Sequence, residues 1–208
     1  MSSILTSLRN TVITGFIIAL LLMFISFILT SGSIEIGDGF KYNPFWAFVF
    51  RWLHVISGVM WIGLLWYFNF VQIPNMGNIP DEQKPAISKV IAPAALWWFR
   101  YGAMATIITG LILAYINGYM HEAMTLTLME DEIIPNYLFI GIGMWLGIIM
   151  WFNVWFVIWP NQKKALGIVD ADPDVKAASA RTAMLFSRTN TLLSIPMLFC
   201  MVVAQNIY

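Results

Sequence analysis

Five long apolar stretches dominate this chain: Val12–Thr30, Pro44–Phe70, Pro93–Asn117, Asn136–Pro160 and Ala183–Asn206. A helix rises about 1.5 Å per residue, so the hydrocarbon core of a bilayer needs about 20 mostly apolar residues per crossing. Each stretch meets that length, and a backbone in lipid must close its own hydrogen bonds, which a helix does. Composition supports this: 60% of the 208 residues are hydrophobic and 11% are charged, against about 25% charged in ordinary soluble domains. A soluble fold of this size has too much surface to hide so much apolar area. The expected architecture is all-α, a single polytopic membrane helix bundle over residues 1–208 with about five transmembrane helices.

Punctuation agrees with the spans. Pro44 and Pro93 open the second and third stretches, and Pro135 stands immediately before the fourth, where a missing N–H is harmless. Pro160 closes the fourth, and Pro196, inside the fifth, predicts a kink. The first stretch is longer than the apolar core of a signal peptide, so a retained first helix is expected despite the small residues Ser31-Gly32-Ser33 behind it. No internal repeat, low-complexity tract or domain linker is evident at this level.

Loop charges set an orientation. Arg9, Lys84, Lys89, Lys163, Lys164, Lys176 and Arg181 fall at the N-terminus and in the second and fourth loops, against Lys41 alone in the first and third, a split of seven to one. Positive residues favour the cytoplasmic side, which puts the N-terminus inside and the C-terminus outside. Trp46, Trp66, Tyr67, Trp97, Trp98, Tyr137 and Trp159 lie near predicted helix ends, as interfacial aromatics do. The net charge of zero gives no sign of a nucleic-acid partner. The single cysteine, Cys200, excludes an internal disulfide, a cysteine-rich zinc site and a Cys-x-x-Cys-His haem attachment, and reads as a small packed side chain.

Polar groups inside the spans carry the functional signal. Arg51, Arg100 and Arg188 remain after the loops are counted; each costs at least about 2.5 kcal/mol at a bilayer centre and so faces a partner, or snorkels from near a helix end. On the second helix His54, Gly58, Trp61 and Leu65 share one face, with Arg51 three residues before the histidine. An imidazole for iron, a small residue where a flat ring approaches and a cation for a propionate suit haem b. The same spacing also fits a histidine hydrogen-bonded to another helix with Gly58 at a packing contact, a proton relay or a quinone contact. For a second ligand the candidates are His121, in the acidic loop after the third helix, and a methionine such as Met144 or Met104. The Glu130-Asp131-Glu132 run reads as a solvated surface suited to a basic partner such as a small cytochrome.

Three segments carry a family resemblance. Arg51-Trp52-Leu53-His54-Val55-Ile56-Ser57-Gly58-Val59-Met60-Trp61-Ile62-Gly63 resembles the second-helix signature of the membrane part of bacterial membrane-bound urate oxidases. Asn153-Val154-Trp155-Phe156-Val157-Ile158-Trp159-Pro160-Asn161-Gln162-Lys163-Lys164 is similar to that family's later helix end, and Ser187-Arg188-Thr189-Asn190-Thr191-Leu192-Leu193-Ser194-Ile195-Pro196-Met197-Leu198-Phe199 to its last helix. Trp98-Phe99 carries a weaker trace. The His-x6-Trp-x-Gly element alone also resembles haem-binding membrane protoporphyrinogen oxidases. The resemblance is to a short form without the cytochrome c domain of long urate oxidases, and Thr189 stands where those are expected to hold a histidine. It implies electron transfer; together with the helix-two spacing, the expectation is a membrane redox protein passing electrons to a periplasmic cytochrome c-type acceptor, with His54 as metal ligand and Arg51, Gly58, Trp61 and His121 around the cofactor. The alternative expectation is a non-catalytic accessory or assembly subunit of a larger membrane oxidoreductase complex, or a homo-oligomer. No complete catalytic set is legible.

Overall fold

The computed structural model describes residues 2–29 and 39–207, and among them every regular element is helical. By contacts within the chain it divides into two units, residues 1–39 and 40–208. The Ser31-Gly32-Ser33 segment and the expected end of the first span at Thr30 lie outside the described residues.

The first unit holds α1 (Leu8–Leu29) behind a short turn of helix, Ser2–Leu5. The Thr11 hydroxyl donates to the carbonyls of Ile4 (2.9 Å) and Ser7 (3.0 Å), tying that turn to the helix. Its apolar side chains are exposed on every side, Phe16, Leu20 and Leu22 among them. A helix that is apolar all round needs lipid or protein about it.

The second unit contains four long helical runs: α2 (Pro44–Trp66), α3 (Ala92–Asn117), α4 (Pro135–Phe152) and α5 (Pro173–Asn206). Together with α1 they give five helices long and apolar enough to cross a membrane. Asn43 caps α2, its side-chain oxygen accepting from the N–H groups of Phe45 (3.0 Å) and Trp46 (3.5 Å) ahead of Pro44 at the first helical position. At the far end of α3, Gly118 takes the left-handed φ of +77° that closes a helix, which a residue without Cβ adopts freely.

α2 pairs with α3 and α4 with α5, and the two hairpins repeat one pattern, which corrects the reading of a chain without repeats. Trp61-Ile62-Gly63 and Phe68-Asn69 in the first hairpin answer Trp145-Leu146-Gly147 and Phe152-Asn153 in the second. Phe70-Val71 and Pro74-Asn75 answer Phe156-Val157 and Pro160-Asn161, and Ala95 with Arg100 answers Ala183 with Arg188. Local structure repeats too. Both α2 and α4 run into π-helical turns, Tyr67–Gln72 and Asn153–Ile158, in which the N–H groups of Ile73 and Trp159 reach five residues back to the carbonyls of Phe68 and Val154. The proline behind each supplies no N–H, and the next asparagine bonds a carbonyl four residues back, Asn75 Nδ2 to Val71 and Asn161 Nδ2 to Val157, both at 2.8 Å. Two extra residues, Val154 and Trp155, separate Asn153 from Phe156, so no fixed period reveals the match in the sequence.

A core of Trp61, Leu65 and Phe68 from the α2 side, Phe99 and Ala103 from α3, Met150 and Val154 from the α4 side and Met197 from α5 joins the hairpins. In lipid such packing is helped by side-chain hydrogen bonds between helices. Trp66 Nε1 donates to Ser194 (3.0 Å), Asn69 Nδ2 to Ser187 (2.8 Å), Asn153 Nδ2 to Asn190 Oδ1 (2.9 Å) and Asn190 Nδ2 to the Met150 carbonyl (2.9 Å). Of the three span arginines, Arg100 is buried with its guanidinium 3.4 Å from the Trp159 ring centre, a cation–π contact strengthened by desolvation. Arg51 and Arg188 are exposed. α5 runs unbroken through Pro196, and in the preceding turn the Ser194 hydroxyl donates to the Thr191 carbonyl (2.7 Å).

Candidate functional site

Between α2, α3, α4 and α5 lies a cavity of about 590 Å³, within the range of small-molecule and cofactor sites. It runs from Trp66, at the close of α2, toward the end of the bundle where α2 and α4 begin and α3 and α5 finish. Its wall is mostly apolar, and its polar groups gather toward that end: Arg51, Tyr119, Gln205 and Asn206. The shape suits a ligand with a broad apolar body and an acidic edge. Burial holds the Tyr119 phenol above its ordinary range, opposed by the nearby Arg51 cation and by a hydrogen bond with Asn117.

His54 stands on the α2 wall. Its Nδ1 is 2.9 Å from the Thr106 carbonyl and 3.4 Å from the Thr109 hydroxyl. A carbonyl only accepts, so Nδ1 carries the proton and Nε2 keeps the lone pair, the tautomer a metal-ligating imidazole takes. The ring is seated against α3 at Gly110, where a Cβ would stand 2.8 Å from Cε1 and 3.0 Å from Nδ1. No other residue type leaves the imidazole in place.

The rest of the cavity is kept open by glycines. A Cβ on Gly58 would meet nothing nearer than Thr106 Cγ2 at 4.0 Å, one on Gly147 nothing nearer than Ile107 Cδ1 at 3.9 Å, and one on Gly63 nothing within 4 Å. Deeper in, Trp61 is 1% exposed and its indole N–H meets no acceptor among the described residues. An unused donor in a cavity wall is costly unless something in the cavity accepts from it.

The structure therefore brings Arg51, His54, Gly58 and Trp61 to one cavity, together with Met144, and turns Leu65, the last residue of that helical face, into the core. His121 is exposed on a short helix, Met120–Met124, and is not part of the cavity wall; neither is Met104. Thr189 is exposed on α5. Sequence reasoning missed Thr106, Gly110, Tyr119, Met197 and Met201. The signal for the first two was faint: a threonine and a glycine one turn apart on α3, with nothing in the chain to say that α3 faces His54. Among the described residues no group of three or more His, Cys, Asp or Glu side chains is placed to hold a metal ion.

Comparison with known proteins bears on the second hairpin. The family described as urate oxidase N-terminal matches residues 135–206, the stretch from the start of α4 to the end of α5. It includes the segments Asn153–Lys164 and Ser187–Phe199 and leaves the His54 helix outside. No curated protein and no solved structure matches the chain. The similarity to that family runs over the α4–α5 hairpin, 72 of the 208 residues.

Proposed function

We propose that this chain is a membrane-embedded electron-transfer protein that holds haem b in the cavity between its two hairpins and passes electrons to a periplasmic acceptor. The observation that carries the reading is the His54 imidazole, its Nδ1–H fixed on the Thr106 carbonyl and its ring seated on Gly110, in a glycine-opened cavity. A haem, when bound, supplies one-electron chemistry at its iron. His54 would hold the iron through Nε2, with Thr106 fixing the ring through its carbonyl, and Arg51 would offer its cation to a propionate at the polar end. Gly58, Gly63 and Gly147 leave room for the macrocycle, while apolar walls exclude water. The exposed Glu130-Asp131-Glu132 run lies at the same end of the bundle as Arg51. Its charge suits a basic cytochrome c-type acceptor, by steering the encounter more than by tight binding.

The full chain, expressed with ample haem and purified in detergent, should show a Soret band that His54→Ala removes or shifts. A colourless wild-type protein that remains folded would overturn the reading.

A further inference from the structure

We propose that Met144 is the second axial ligand opposite His54, an assignment that rests on the haem reading and deepens it. The argument is one of depth. α3 and α4 run in opposite directions, and a Cβ on Gly147 of α4 would stand 3.9 Å from Ile107 Cδ1 of α3, so these residues face each other at one level. Three residues onward along α3 is Gly110, against which the His54 ring lies. Three residues back along α4 is Met144. At about 1.5 Å per residue both steps move about 4.5 Å the same way along the bundle. Met144 and the imidazole thus stand at one depth on opposite walls of the same cavity.

The wall holds two other thioethers. Met201 is packed against α4 at Gly143, where a Cβ would stand 3.4 Å from its sulfur and 3.1 Å from its methyl carbon. Met197 lies one turn deeper and is 6% exposed within the core. Met144 is half-buried, one flank packed on Ala123, Ile140 and Ala204, and it is the thioether that the Ile107–Gly147 and His54–Gly110 contacts place level with the imidazole. A methionine–histidine pair raises the potential of a haem relative to two nitrogens.

The test uses the purified full chain carrying haem. Ferric wild type should be low-spin with a thioether-to-iron charge-transfer band. Met144→Leu should keep the Soret band but lose the charge-transfer band and become high-spin. Met144→His should restore the low-spin state at a lower midpoint potential, and Met104→Leu, outside the cavity wall, should match wild type. A high-spin wild type, or a Met144→Leu spectrum identical to wild type, would overturn the Met144 assignment and leave His54 ligation standing. A wild type without any Soret band would overturn both.

Discussion

Gly110 is the position at which a single methyl group separates a working site from a displaced one. Gly110→Ala places a carbon 2.8 Å from His54 Cε1, so the ring must swing away and surrender its bond to the Thr106 carbonyl. Loss of such an orienting bond lowers affinity about 10–100-fold. Haem titration of the apoprotein should therefore show a weaker dissociation constant by about that factor, with unchanged detergent solubility; equal affinity would deny the ring its seat. Asn190 is a different case, being fully buried and bonded on both sides, to Asn153 and to the Met150 carbonyl. Asn190→Leu strands both partners and should cost about 1–3 kcal/mol in unfolding experiments. Thr189→Ala next to it, on an exposed side chain, should cost almost nothing. The Lys84 ammonium holds Asp81 below its ordinary carboxylate range through a hydrogen bond and its charge. Any stability from that pair is present above the usual carboxylate pKa and is lost as pH falls through the lowered value. Both side chains are accessible to water, so salt should screen the effect and Asp81→Asn should leave the melting temperature unchanged at neutral pH.

At the scale of elements, lipid-crossing length and helix length proved to be different quantities. The fifth apolar stretch begins at Ala183, yet α5 begins at Pro173, ten residues earlier. Its start signals, proline at the first position and Asp174 in the first turn, lie in a polar segment that a search for apolar runs passes over. Likewise the stretch expected to open at Pro93 is preceded by helical turns from Lys84 to Ile91, so the cationic second loop is largely helix. The π-helical turns could not be read from the sequence, because they depend on how the chain resolves a missing proline N–H within a packed bundle. Asn75 and Asn161 bond the carbonyls of Val71 and Val157 in the same way in both hairpins. Asn75→Ala and Asn161→Ala should each destabilise by about 0.5–1.5 kcal/mol, and similar losses would support their equivalence. A loss confined to one hairpin would argue that the repeat is one of sequence only.

For the whole molecule, fold class was legible because the solvent dictates it: a chain this apolar with five such stretches has helices or barrels to choose from, and the helical lengths decide. One wall of the cavity was legible as well, since Arg51, His54, Gly58 and Trp61 share a face of one helix. The opposite walls were not, because they follow from which helices pair and at what depth. The loop charges predict an arrangement that labelling can check. In a Cys200→Ala background, Glu132→Cys should react with a membrane-impermeant thiol reagent in intact cells, and Lys163→Cys only after lysis; the reverse pattern would invert the bundle. The claim on which the redox account depends is that the His54 imidazole binds haem iron. Haem content per chain, measured on purified wild type and His54→Ala, tests it most directly. The account predicts one equivalent of haem b in the wild type and a sharp loss in the variant; equal haem in both proteins, or none in a folded wild type, would contradict it.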